Sequence, residues 1–364
     1  MADYDASTDA RTPLPAVWHY LANLQGAERD AWRLADVRDR PSAEERNLPD
    51  EYPFGWFVVG YSDELDKGEV KSIRYFGKEL ALWRGHDGVP RVIDAYCVHY
   101  GANMAHGGKV HDNYLECPFH AWRYDGEGAV KEIPYARVIP PQARRKDCVP
   151  SWPTQEANGQ IWVWYHPDRI APLWDLMIFD EVGHPDWTPY KKFEWNVFSG
   201  IEHMADNGVD ISHFRFVHGA STVPDYKISY TGIQRAVLAE IKLNTPRGIV
   251  EGKIDALSQG PGQAWVKFSG LSETLMVSGI TPVDRDHLKV RFAFTQPKAQ
   301  AGSRLAEALI ADICSQLDQD KVILDRHKRM DPPLICDGDG PFGRNRVYYS
   351  QFFVSTNPTS KLAA

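Results

Sequence analysis

Between Gly55 and Asp168 the apolar positions fall in short alternating or continuous runs: "GWFVVGY", "VKSIRYFG", "KELALWRG", "VPRVIDAYC", "NYLECPFHAWRYD" and "GQIWVWYHP". Gly and Asp-Gly turns separate them, which predicts short strands and an all-β unit of about 110 residues, an ordinary domain size. Upstream, "PAVWHYLANL" and "AERDAWRLADV" space their apolar residues as two short amphipathic helices do, in an extension that packs on the main body. Past the Pro-rich stretch "IAPLWDLMIFDEVGHPDWTP" the pattern predicts a helix around Ile201 to Val217. Long strands follow, "RAVLAEIKLN", "GIVEGKIDAL", "QAWVKFSG", "ETLMVSGITP" and "HLKVRFAFTQP", and then an amphipathic segment from Gly302 to about Met330. Consecutive strands closed by a helix predict an antiparallel sheet with helices on one side. The expected architecture is therefore α+β in three parts: an extension over 1–50, a β domain over 51–168, and a sheet-and-helix domain over 169–364.

Composition narrows the function classes. Hydrophobic residues make up 43% of the chain and aromatics 12%, enough for a real core. Forty-one basic against forty-nine acidic residues give a net charge of -8, and only "ARRK" (Ala143 to Lys146) is locally basic, which reads as a solvated loop. No nucleic-acid partner is expected. The first residues, "MADYDASTDARTPLP", carry Asp3, Asp5 and Asp9 with no apolar stretch, so an ordinary secretory signal is excluded. No run of membrane-spanning length follows. Five scattered cysteines do not make a disulfide framework, and Cys148, Cys314 and Cys336, without neighbours at ligand spacing, read as structural. The expectation is a soluble, cytoplasmic protein.

Two clusters carry candidate chemistry. In "CVH" and "CPFH", Cys97 and His99 are followed after seventeen residues by Cys117 and His120. Zinc is the plainer reading of two Cys and two His, yet zinc ribbons and fingers usually pair two cysteines in one hook. Here each hook mixes the ligand types, which suits a cluster with two unlike irons. His106 and His111 match neither hook and read as exposed loop residues. The second cluster is Asp210, His213 and His218 in "EHMADNGVDISHFRFVHG". Histidines five apart project about 140° from each other on an ideal helix, so they converge only if the helix widens or ends between them. Taken alone, such a pair is more often two unrelated side chains. Glu202, His203 and Asp206 lie close by as secondary candidates, with Asn207 and Asp206 as supporting groups.

The pattern C-x-H-x17-C-x2-H on a β domain resembles the Rieske domains of oxygenases. The resemblance implies a Rieske [2Fe–2S] cluster on Cys97, His99, Cys117 and His120. Respiratory-type Rieske proteins share those ligands but add a disulfide between the hooks, at positions that hold Ala102 and Phe119 here. Behind a Rieske domain, Asp-x2-His-x4-His resembles the iron segment of Rieske non-haem iron oxygenases. That implies a mononuclear Fe(II) on His213, His218 and one carboxylate, with O2 as co-substrate. "QLDQDKVILD" resembles the family's Gln/Glu-Asp-x2-Ile segment, which puts the carboxylate at Asp320, with Asp318 and Asp325 as competitors. In the family an aspartate at the place of Asp210 joins an iron histidine to a Rieske histidine of the next subunit. The resemblance thus implies an oligomer, a head-to-tail trimer in which Asp210 links His213 to His120 of a neighbouring chain.

Within that family, "RVIDAYCVHYGANMAHGG", "CPFHAWRYDGEG", "EIPYARVIPP", "DNGVDISHF" and "RMDPPLICDGDGP…RVYYSQFFV" are similar to the 3-ketosteroid 9α-hydroxylase and cholesterol 7-desaturase branch over roughly residues 52 to 355. The branch implies a helix-grip catalytic domain and the oxygenase component of a multicomponent monooxygenase that hydroxylates a bulky, polycyclic, steroid-like substrate. Sterol desaturation or O/N-demethylation is the alternative chemistry, and a Rieske electron carrier without oxygenase activity is the alternative from another class. No flavin or nicotinamide fingerprint and no plant-type C-x4-C-x2-C run occurs, so electrons must come from a separate NAD(P)H-dependent reductase, with or without a ferredoxin. Arg215, between the two iron histidines, departs from the branch. It reads as pairing with an acid at a subunit contact rather than with a substrate carboxylate. Strands from about Ile228 to Gln296 are expected to line the pocket, although alternation alone does not say which side chains face in.

Overall fold

The computed structural model describes residues 21, 23–219, 225–245, 248–270 and 272–355. The helix expected over "PAVWHYLANL" lies almost wholly outside the described residues. The second, over "AERDAWRLADV", forms as α1 (Gly26–Leu34), with Glu28 in its first turn and Arg33 in its last, each favourable to the helix dipole.

The β unit holds eleven strands in three antiparallel sheets. One sheet has the order β1-β11-β10, from β1 (Gly55–Tyr61), β10 (Thr154–Ala157) and β11 (Gln160–Tyr165). A second, β2-β3-β4-β9, joins β2 (Val70–Tyr75), β3 (Lys78–Arg84), β4 (Pro90–Asp94) and β9 (Ser151–Trp152). The third, β5-β6-β7-β8, is made of the short strands β5 (Lys109–His111), β6 (Tyr114–Glu116), β7 (Arg123–Tyr124) and β8 (Val130–Glu132). The single strand expected over "NYLECPFHAWRYD" is thus two, β6 and β7, because the Cys117–Trp122 turn interrupts the pairing.

The second unit is one seven-stranded antiparallel sheet in the order β12-β18-β17-β16-β15-β14-β13. Its strands are β12 (Lys191–Val197), β13 (Asp225–Thr231), β14 (Gln234–Thr245), β15 (Gly248–Gln259), β16 (Gln263–Ser269), β17 (Thr274–Asp284) and β18 (His287–Thr295). β12 was not expected from the hydrophobic pattern. The helix expected from Ile201 to Val217 is two short ones, α2 (Ile201–Asn207) and α3 (His213–Phe216). The break comes at Gly208–Val209, and Asp210 Oδ1 then accepts from the amides of Ser212 (3.0 Å) and His213 (3.3 Å) to start the second helix. The long C-terminal helix is α4 (Arg304–Leu324), and α5 (Phe342–Ser350) follows without having been anticipated. No described helix is long and apolar enough to cross a membrane.

A bulge joins the two units. The register of β1 against β11 slips between Val58 and Gly60, freeing the Val58 carbonyl. It accepts from Thr281 Oγ1 of β17 (2.6 Å) and Arg291 Nη1 of β18 (3.2 Å), while Arg291 also reaches Tyr75 and Glu194. The outer face of β17 and β18 is thereby committed to the first unit. On the inner face Trp195, Met276, Val290 and Phe294 pack with Ile310, Cys314 and Leu317 of α4.

Register now assigns the inner face of β13 to β16. One cross-strand row reads Tyr226, Ala239, Ile254, Phe268, Thr274, and the next reads Ile228, Val237, Ala256, Val266, Met276. Below them Arg235 and Ser258 share a row, and Arg235 donates to the Ala205 carbonyl of α2 (2.7 Å) and to Asn345 of α5 (3.0 Å). These contacts place the rows on the side of α2. Ile228, Ile254, Ala256, Val266 and Phe268 stay only half-buried although they face inward, so the helices do not fully cover this apolar face.

Candidate metal centres

The two Cys/His hooks are local copies of one turn. Gly101 and Ala121 donate their amides to the carbonyls of Cys97 (2.9 Å) and Cys117 (3.0 Å). The cysteine amides donate onward to the carbonyls of Ala102 (2.9 Å) and Trp122 (2.8 Å). Both turns need a left-handed residue: Gly101 has φ 75 and Ala121 has φ 56, and only the glycine adopts it without strain. Cys97 and Cys117 are buried, whereas His99 and His120 are half-buried and face each other, ring centroids 4.6 Å apart. His99 stacks on Trp122 at 4.7 Å, and Trp122 Nε1 donates to the Tyr135 hydroxyl (2.8 Å). Tyr124, whose hydroxyl lies 3.0 Å from Cys97 Sγ, closes the buried end.

This cradle suits an iron–sulfur cluster rather than four independent side chains. The Nδ1 atoms of His99 and His120 are buried with no hydrogen-bond partner among the described residues, a costly state that a bound metal relieves. Burial pushes the Cys117 thiol up, and the amides of Phe119 and His120 directed at its sulfur oppose that shift. Amides aimed at a buried sulfur stabilise a thiolate once a cation is present. His106 and His111 are exposed, as expected. Cys314 is a core residue, Cys148 packs partly against the Cys97 cluster, and Cys336 is exposed, so the structural reading fits the first two alone.

The second centre comes from α3, the residues just after it and α4. His213 opens α3 and His218 lies two residues past its end, so the roughly 140° conflict is removed by termination of the helix. Ligand atoms of His213, His218 and Asp320 all lie within 4.8 Å of one another. Asp320 Oδ1 is 3.3 Å from His218 Nε2 and 3.9 Å from His213 Nε2. The opposite ring nitrogens are held: His213 Nδ1 by the Asp210 carbonyl at 2.6 Å, His218 Nδ1 by Gln319 Oε1 at 2.7 Å. Each acceptor fixes the proton on Nδ1 and leaves Nε2 as a free lone pair facing the third group. Asn207 Nδ2 donates to Asp320 Oδ2 (2.9 Å) and turns Oδ1 toward the histidines.

Burial pushes the Asp320 carboxyl up and the His213 imidazole down, so it disfavours the charged form of each. A divalent cation reverses this. Two neutral imidazoles and one carboxylate on one side of a site match the facial arrangement that non-haem Fe(II) uses, with the other side open.

The competitors for the carboxylate are otherwise engaged. Asp318 is fully buried on another side of α4, where it accepts from Arg29 Nε (2.7 Å), from Arg33 Nε (2.8 Å) and Nη2 (2.9 Å), and from Trp195 Nε1 (2.7 Å). Asp325 takes Lys321 Nζ (2.7 Å) and the Phe198 amide (2.9 Å). Of the secondary candidates, Glu202 pairs with Arg329 (3.0 Å), His203 packs on His327 (4.3 Å), and Asp206 accepts from Asn345 (2.8 Å) and Arg346 (3.2 Å). Only Asn207 reaches the trio. The Asp210 carboxylate caps α3, and its Oδ2 lies 3.8 Å from His213 Nδ1. Gly340 holds that turn in place, since a Cβ there would sit 1.9 Å from the Val209 carbonyl, and Ser212 Oγ donates to the Gly338 carbonyl (2.8 Å). Arg215 lies 5.8 Å from the exposed Phe216 ring. Gln319 was missed as a functional residue; its position directly before Asp320 in the Gln/Glu-Asp pattern was the available signal.

Comparison with known proteins finds two family models along the chain. Residues 55–153 match the Rieske [2Fe-2S] domain, and residues 163–353 match the 3-Ketosteroid 9alpha-hydroxylase C-terminal domain. The chain is 30% identical over 362 residues to the cholesterol 7-desaturase of Hemicentrotus pulcherrimus, covering 89% of this chain and 74% of that one. It is 28% identical over 348 residues to a 3-ketosteroid-9-alpha-monooxygenase oxygenase component of Rhodococcus rhodochrous, covering 88% and 87%. Among solved structures it superposes on dicamba monooxygenase bound to dicamba with a TM-score of 0.67 at 18% identity, covering 82% of this chain and 96% of that one, a likeness of fold.

Proposed function

Because the chain belongs to the Rieske non-haem iron oxygenases, with a 3-ketosteroid 9α-hydroxylase C-terminal domain, we propose that it is the oxygenase component of a steroid-hydroxylating monooxygenase fed by a separate NAD(P)H-dependent reductase. Its cofactors are a Rieske [2Fe–2S] cluster and a mononuclear iron, with O2 as co-substrate. When bound, the cluster supplies electrons one at a time and the mononuclear iron activates O2 for attack on a C–H bond. The residues that would hold the cluster are Cys97, His99, Cys117 and His120, and those for the iron are His213, His218 and Asp320. Gln319 and the Asp210 carbonyl hold the two imidazole tautomers, and Asn207 orients the carboxylate.

The observation that carries the substrate class is the inner face of β13 to β16. Its two rows beside the metal trio contain aliphatic, aromatic and small side chains and no charged residue. Such a wall takes up a large apolar body and penalises an unpaired carboxylate. The relatives named for ketosteroid 9α-monooxygenation and cholesterol 7-desaturation agree with a steroid-like skeleton.

Exposed apolar residues on both units support the head-to-tail trimer. Val98, Tyr100, Phe119 and Tyr135 surround the histidine end of the cluster cradle, while Phe216, Met330, Leu334 and Ile335 lie on the second unit. A contact between two unlike surfaces generates a closed ring when the rotation allows. Asp210 would then link His213 to His120 of the next subunit.

Single turnover tests the reaction. The protein is reduced without oxygen, mixed with a 3-ketosteroid and O2, and the product is weighed by mass spectrometry. Gain of one oxygen atom is the expected result, whereas loss of two hydrogens would make the chain a desaturase. Reoxidation of the cluster with no steroid product would remove the steroid assignment.

A further inference from the structure

We propose that the Tyr226 hydroxyl grips the polar end of the substrate, donating a hydrogen bond to a ketone on an otherwise apolar polycyclic skeleton. The inference rests on the steroid reading above and deepens it. Tyr226 stands at the sheet edge, at the head of the inner row nearest the trio: its ring meets Phe214 at 5.8 Å, and Phe214 meets His213 at 4.5 Å and His218 at 5.4 Å.

Only Tyr226 and Thr274 bring polar side-chain atoms to the two inner rows. Thr274 Oγ1 is already committed, accepting from Gln296 Nε2 at 2.9 Å. The Tyr226 hydroxyl has no hydrogen-bond partner among the described residues. Tyr230 likewise has an unpartnered hydroxyl, but it belongs to the row below, where its ring packs on Tyr348 at 5.2 Å. Burial pushes the Tyr226 phenol well above its ordinary value, so it remains an O–H donor. The Tyr226 hydroxyl is not among the buried unpartnered atoms and its residue is only half-buried, so it reaches solvent, and a ligand oxygen can take its hydrogen in place of water.

The consequence is regiochemical. A rigid fused-ring skeleton pinned at one oxygen presents a fixed carbon to the open side of the trio. A site that uses apolar contact alone discriminates poorly between binding poses, whereas one directed hydrogen bond selects among them.

The test uses the holoenzyme and its Tyr226→Phe variant, which keeps the ring against Phe214 and removes only the hydroxyl. Binding of androstan-3-one and of androstane, one skeleton with and without a single ketone, is measured by equilibrium dialysis. The variant is expected to bind the ketone about five- to tenfold more weakly than the wild type and the hydrocarbon equally well. Its turnover of the ketone should spread over more than one carbon. Unchanged ketone affinity in the variant overturns the anchor, as does an equal loss for both ligands, which would reveal packing alone. Failure of the wild type to bind either ligand overturns the steroid reading and the anchor with it.

Discussion

Each imidazole of the second centre has one nitrogen committed and one presented. The presented pair converges on Asp320 only because Gln319 and the Asp210 carbonyl occupy the other side. Asp320→Ala should therefore empty the mononuclear site, and Gln319→Leu should weaken iron binding by about 10- to 100-fold, the usual scale for a residue that orients a ligand. Iron titration followed by metal analysis, with the cluster's visible absorbance as internal control, measures both. Normal iron retention in Asp320→Ala would transfer the ligand role elsewhere. Asp318, two positions away, fails as a ligand for a reason invisible in its neighbours: its partners Arg29 and Arg33 lie more than two hundred residues upstream.

At the scale of elements, α1 and α4 are locked together through that buried carboxylate, and Lys321 of α4 lies 5.5 Å from the Trp32 ring centroid. Stripping the cations from a buried anion leaves it uncompensated, at a cost of about 3–5 kcal/mol. Arg29→Ala with Arg33→Ala should lower the melting temperature by on the order of 10 °C, read by calorimetry. A shift near zero would mean that α1 merely rests on the surface. What the hydrophobic pattern could deliver follows from range. The two hooks and the D-x2-H-x4-H segment were legible because their ligands are close in sequence, and the long strands because alternation is local. The division of residues 201–217 into α2 and α3 was not legible, since it depends on an aspartate cap and on Gly340 from a distant loop. Nor were the inner rows of the sheet, because a one-residue slip exchanges the two faces and register comes only from pairing.

For the whole molecule, the Val58 carbonyl ties the two units into one body, and the proposed trimer would use the exposed apolar residues of each unit. Asp210→Asn should leave both metal centres loaded and the subunits assembled, yet abolish most product formation. Metal content, sedimentation and single-turnover yield check the three parts. Iron loss from the second centre instead would mean that Asp210 serves chiefly as the cap of α3. The hooks carry a last consequence. Their cysteines are buried and their histidines lie toward the surface, so the cradle works as a wire insulated at one end and bare at the other. If the bare end meets its acceptor only on a neighbouring copy, the circuit opens on dilution, and specific activity should fall with protein concentration while each isolated chain stays folded and fully charged.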